Sequence, residues 1–96
     1  MDILVSYDVN TQDKEGRRRL RRVAKICEGW AQRVQLSVFE CRVSDVELER
    51  MKQRLLKVID RELDSLRIYR LRGKREEVVE AFGRDSYVDF TEPLVL

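Results

Sequence analysis

The chain has 96 residues, 43% hydrophobic and 40% charged, with a formal net charge of +2, a balance that excludes a disordered polymer and fits one soluble domain, 1–96, whose small core would gain stability from a second copy. No apolar run approaches the ~20 residues of a membrane span, and the opening MDILVSYD lacks a basic region, a long apolar stretch and a small-residue cleavage site, so no membrane association and a cytoplasmic location are expected. Cys27 and Cys41 stand far apart in a chain without histidine, which excludes a CxxC zinc set and an imidazole-activated thiol and leaves two buried thiols as the reading.

Residues 2 to 9 alternate as a strand, with Ile3, Val5, Tyr7 and Val9 on one face and Leu4, Ser6 and Asp8 on the other. Asn10 to Asp13 form a polar break in which Thr11 or Asp13 can accept from the first free N–H groups of a helix. That helix is predicted to about Trp30, with Leu20, Val23, Ala24 and Cys27 as its apolar stripe. Between Lys14 and Lys25 it carries Arg17, Arg18, Arg19, Arg21 and Arg22 with Glu15 as the single acid. A charged helix face is usually solvated surface, but the near absence of intervening acids predicts a positive field directed outward at a polyanion.

The stretch Val34 to Val43 is rich in β-branched and aromatic residues and reads as sheet, with Ser37, Phe39, Cys41 and Val43 sharing a face. Its beginning, Arg33 to Gln35, can form a separate short strand joined by a tight bend. Ser44 to Glu47 (SDVE) is a capping box worth ~1 kcal/mol, and Leu48, Met51, Leu55, Val58 and Ile59 make the stripe of a helix predicted to about Leu63. Leu66 to Leu71 returns to strand, Leu66 and Ile68 alternating with Arg67 and Tyr69. Gly73 and Lys74 turn the chain, and the remainder, broken by Gly83 and Pro93, reads as one or two small strands and an apolar tail rather than a helix.

This order, βαββαβ with an extra C-terminal strand, is that of an α+β, ferredoxin-like domain: an antiparallel sheet with both helices on one face. Leu4, Val38 and the final PLVL would then lie on the uncovered face or its edge, where apolar surface marks an oligomer interface.

Asp8 is the candidate metal ligand and catalytic residue, because a carboxylate at a strand end beside a basic helix can hold a hard divalent cation next to a phosphate. Spacing alone favours a simpler role, a hydrogen bond to the following loop. A two-fold dimer pairing the open sheet faces would bring two Asp8 carboxylates together around Mg²⁺ or Mn²⁺. Tyr7 and Phe39 can stack bases, as sheet aromatics do in RNA-binding modules of this architecture, although core packing is the simpler role for each and the signature of those modules is missing.

Five segments in this order, ILVSYDV, RRRLRRVAK, RVQLSVFEC, DSLRIYRL and DFTEPLVL, make the chain resemble the CRISPR-associated protein 2 family, the smaller of the two core adaptation proteins. The resemblance implies a ferredoxin-like homodimer whose C-terminal strand, here within the extended tail 84–96, packs on the partner's sheet, with paired Asp8 residues near the two-fold axis. It implies that the dimer bridges two dimers of the CRISPR integrase, CRISPR-associated protein 1, and holds double-stranded DNA. It further implies a metal-dependent endonuclease activity on RNA or double-stranded DNA that varies across the family. Tyr7, Asp8, Arg17, Arg19, Arg33 and Phe39 fall at or near the positions the family associates with its site, which implies Tyr7 beside Asp8 as a second catalytic candidate and Arg33 as a nucleic-acid contact alongside the first-helix arginines. The alternative on the same architecture is an RNA-cleaving toxin or RNA-binding regulator, since fold does not fix function.

Overall fold

The computed structural model describes residues 1–84 and Tyr87, in the order β1 (Asp2–Asp8), α1 (Lys14–Glu28), β2 (Gln32–Gln35), β3 (Val38–Arg42), α2 (Asp45–Val58), β4 (Ser65–Leu71) and α3 (Arg75–Val78). The strands form one antiparallel sheet in the order β2-β3-β1-β4, which is the ferredoxin-like arrangement. The stretch from Gln32 to Arg42 is two strands, with Leu36 and Ser37 in the bend and a register shift between Arg33 and Gln35.

Alternation along β1 sets the two faces of the sheet. Ile3, Val5 and Tyr7 pack with Phe39 and Cys41 of β3 beneath the helices, which contribute Val23 and Cys27 from α1 and Leu48, Met51, Leu55 and Val58 from α2. Phe39, Ile3, Met51 and Leu55 are among the largest fully buried side chains, each stabilising the fold by about 2–3 kcal/mol through the apolar area it removes from water.

Helix α1 begins where Asp13 Oδ1 accepts from Gly16 N at 2.7 Å, and it ends at Glu28, just short of the expected Trp30. Gly16 lies so close to the loop that a Cβ there would collide with the Asn10 carbonyl. Helix α2 carries both halves of its capping box, Glu47 N donating to Ser44 Oγ (3.2 Å) and Ser44 N to Glu47 Oε1 (3.0 Å). These bonds hold the Glu47 carboxyl below its ordinary value, the backbone bond from Ser44 contributing most.

Two expectations change. Helix α2 stops at Val58 instead of near Leu63, because two aspartates divert the backbone: Asp60 N donates to Asp64 Oδ2 (2.8 Å) and Glu62 N to Asp60 Oδ1 (2.9 Å). After β4 the chain forms a single helical turn, α3, where extended structure is expected. Gly73, at φ +91°, turns the chain, and the Lys74 carbonyl accepts from Glu77 N and Val78 N. The expected small strands and apolar tail beyond Arg84 lie outside the described residues, Tyr87 excepted.

The second sheet face presents Leu4, Ser6 and Asp8 from β1, Val38 and Glu40 from β3, and Tyr69, Arg67 and Ser65 from β4, as their pairings Leu4↔Glu40, Ser6↔Val38, Leu4↔Tyr69, Ser6↔Arg67 and Asp8↔Ser65 require. It is not wholly uncovered. Glu40, only 5% exposed, accepts from Arg75 Nε (2.9 Å) and Nη2 (3.0 Å), and the Arg75 guanidinium carbon lies 3.5 Å from the Tyr87 ring centroid. The chain after β4 therefore folds back across Leu4, Val38 and Glu40, leaving a groove of about 370 Å³ between itself and the sheet. Among the described residues the Asp8 end of this face stays open.

Candidate active site and nucleic-acid interface

Asp8 is exposed at the last position of β1, opposite Ser65 of β4. Its carboxylate has no hydrogen bond or ion pair among the described residues, so the simpler role, bonding the following loop, is not the one it plays. The loop is held by others: Asn10 N donates to Asp64 Oδ1 (3.0 Å), Gln12 N to Asn10 Oδ1 (3.0 Å) and Gly16 N to Asp13. Around Asp8 lies a shallow depression of about 280 Å³ lined by Ser6, Tyr7, Ser65, Arg67 and Tyr69.

Tyr7 and Phe39 lie on the opposite, helix-covered side. Tyr7 is 4% exposed and Phe39 fully buried, their rings stacked at 6.1 Å and 25°. The Arg33 guanidinium caps this pair from 5.2 Å above Phe39 while Nη2 donates to Glu28 Oε1 at 3.3 Å. Burial pushes the Tyr7 hydroxyl above its ordinary pKa, Cys27 adding to the shift and Arg33 opposing it. Neither ring offers an exposed face to a base, and the Arg33 guanidinium, itself exposed, lies over the Phe39 ring and beside Glu28.

The arginines of α1 divide. Arg17, Arg18, Arg21 and Arg22 are exposed. Arg17 Nη1 reaches the Thr11 carbonyl (3.4 Å), Arg18 stands 3.9 Å from Glu15, and Arg21 and Arg22 have no partner among the described residues. Arg19 departs from the outward-facing expectation: Nε and Nη2 donate to Asp64 at 2.8 and 3.2 Å, and the Asp64 side chain is wholly removed from solvent. The acid that neutralises Arg19 comes from the far side of the sequence, so its guanidinium ties α1 to the turn before β4. Arg17 lies at the N-terminal end of α1, close in sequence to Asp8, whereas the helix as a whole packs on the face opposite the carboxylate.

Burial drives the thiols up, Cys27 to about 12 and Cys41 to about 11, so neither is a nucleophile. Among the described residues no three His, Cys, Asp or Glu side chains converge as a metal-binding group. One chain thus offers one carboxylate, a donor set that suits a hard cation keeping most of its water and completing its shell with phosphate oxygens or a second carboxylate. Sequence reasoning did not single out Arg67, Tyr69, Ser6 and Ser65 as site residues. The usable signal was the alternation of Arg67 and Tyr69 against half-buried Leu66 and Ile68 on a strand paired with β1.

Fold and site together define a ferredoxin-like α+β protein with a solvent-facing carboxylate at the end of its first strand and a cationic helix on the other side of the sheet. The family model described as CRISPR associated protein Cas2 matches residues 1–78, and the chain belongs to that family. It is 49% identical over 96 residues to the CRISPR-associated endoribonuclease Cas2 1 of Moorella thermoacetica, covering 100% of both chains. It is 46% identical over 95 residues to the CRISPR-associated endonuclease Cas2 of Halalkalibacterium halodurans, covering 99% of both. The crystal structure of Streptococcus pyogenes Cas2 at pH 6.5 superimposes with a TM-score of 0.78 at 49% identity, covering 86% of this chain and 100% of that one. Among the described residues no helix is long and apolar enough to cross a membrane.

Proposed function

We propose that this protein acts in CRISPR adaptation as a homodimer that holds double-stranded DNA between integrase dimers, and that it hydrolyses phosphodiesters of RNA or DNA at Asp8 with Mg²⁺ or Mn²⁺ held between two copies. The observation that carries this reading is the Asp8 carboxylate, exposed, unpartnered among the described residues and seated at the open end of the sheet. The names of the Moorella and Halalkalibacterium relatives, an endoribonuclease and an endonuclease, support the same chemistry. The exposed Arg17, Arg18, Arg21 and Arg22 supply the sequence-independent phosphate attraction that duplex binding needs.

When bound, the cation would offset phosphate charge and make its water a better nucleophile. The chain's own residues do the rest. Asp8 would hold the cation, offering an oxygen ligand at a strand end fixed by its pairing with β4. Arg19 and Asp64 keep the neighbouring loop in place. With no histidine in the chain, proton removal from the attacking water falls to hydroxide or a carboxylate, which predicts a slow enzyme.

Asp8→Asn should abolish cleavage while duplex binding persists; cleavage surviving at full level would overturn the assignment. The RNA-binding alternative rests on Tyr7 and Phe39 as base-stacking rings, and both are buried, leaving Tyr69 as the exposed aromatic of the described sheet.

A further inference from the structure

Among the described residues, Arg67 is the one cation lining the Asp8 depression. Its Nη1 donates to Tyr69 Oη at 2.9 Å, a bond along one face of β4 that leaves the other guanidinium donors open. No acid pairs with it among the described residues. Register sets Arg67 opposite Ser6 and Ser65 opposite Asp8, so Arg67 and Asp8 are diagonal neighbours across β1 and β4 on one face. Diagonal Cα atoms stand about 7–8 Å apart, within reach of a long side chain. The guanidinium nevertheless bonds Tyr69 and not Asp8. A cation without an acid and a carboxylate without a cation thus flank one depression, with the hydroxyl residues Ser6 and Ser65 beside them.

We propose that Arg67, oriented by Tyr69, is a phosphate-binding residue that seats the phosphodiester next to Asp8. The inference rests on the reading that phosphodiesters bind at Asp8 and adds the residue that holds them there. A guanidinium donates to two phosphate oxygens at once and stays charged at any working pH, which a bare carboxylate site lacks. It also resolves the geometry of α1: that helix lies on the opposite layer, so its arginines attract the polymer while Arg67 fixes the linkage at the carboxylate. The Tyr69 hydroxyl, 2.9 Å from Nη1, restrains an otherwise flexible side chain on an exposed strand.

The test titrates the dinucleotide TpT, which has one phosphodiester, into ¹⁵N-labelled protein in EDTA while following the arginine Nε–H resonances. The Arg67 signal is assigned by its disappearance in Arg67→Lys. TpT should shift that signal saturably in the wild type and in Asp8→Asn, and Tyr69→Phe should weaken the affinity about two- to tenfold, the effect of one lost orienting hydrogen bond. An Arg67 signal unmoved by TpT concentrations that shift the α1 arginines would overturn the proposal, as would equal affinity in Arg67→Ala. Failure of the underlying reading looks different: wild-type protein in Mn²⁺ would show no Asp8-dependent cleavage, whatever Arg67 does in EDTA.

Discussion

The Asp64 carboxylate accepts from Arg19 through both oxygens and from the backbone N–H groups of Asn10 and Asp60, with no solvent access of its own. Burial pushes this carboxyl up, but the bonds from Arg19, Asp60 and Asn10 outweigh it and hold the pKa below the ordinary 3.8. A carboxyl depressed in the folded state adds stability that is fully present above its unfolded value and is lost as pH falls through the folded one. Urea denaturation of the wild type should therefore show stability falling below about pH 4, while Asp64→Asn should be less stable at neutral pH with a flatter acid limb. Parallel acid limbs would show that Asp64 does not carry this dependence. Little of this was legible in the sequence, where Asp64 broke a helical pattern and Arg19 was one arginine of five. The pair spans 45 positions, and periodicity reports only neighbours within a helix turn or two. Asp8 was legible as a candidate because strand-end position and chemistry suffice to name it; that it stands clear of the loop depends on Asn10, Asp13 and Asp64 taking the loop's donors, which only the fold reveals.

Elements with local causes are legible in the sequence. The SDVE capping box names the start of α2 because both of its hydrogen bonds close within four residues. Ser44→Ala should cost about 1 kcal/mol, measured as a lower urea midpoint at unchanged slope; an unchanged midpoint would mean that the cap contributes nothing net. The strand alternation of β1 and the bend between β2 and β3 were likewise legible, since period and turn chemistry are local. The α3 turn was not. Four residues cannot sustain an isolated helix, and what anchors Arg75 there is Glu40, 35 positions earlier. On α1, Arg18 and Arg22 belong to the exposed face. Reversing both to Glu should weaken duplex DNA binding and flatten its dependence on salt by about one unit of log–log slope for each phosphate that is no longer neutralised. An unchanged slope would take this face out of the DNA interface.

At the scale of the whole molecule, the sheet separates two surfaces. Helices, core and basic surface lie on one side; Asp8, Arg67 and the fold-back of the chain after β4 lie on the other. The element order made this layering predictable, but not that Arg75 bonds across the open face to Glu40, since that pair again joins distant segments. The described residues bring a single carboxylate to the Asp8 end of the sheet, and in the proposed dimer a two-fold partner facing the same end would double it. The claim that two copies of Asp8 share one catalytic centre can be measured by co-refolding wild type with Asp8→Asn in varied proportions and assaying Mn²⁺-dependent cleavage at constant total protein. If both carboxylates are required, activity follows the square of the wild-type fraction, about a quarter of full rate at equal mixing. Activity proportional to the wild-type fraction, about half at equal mixing, would contradict the shared site.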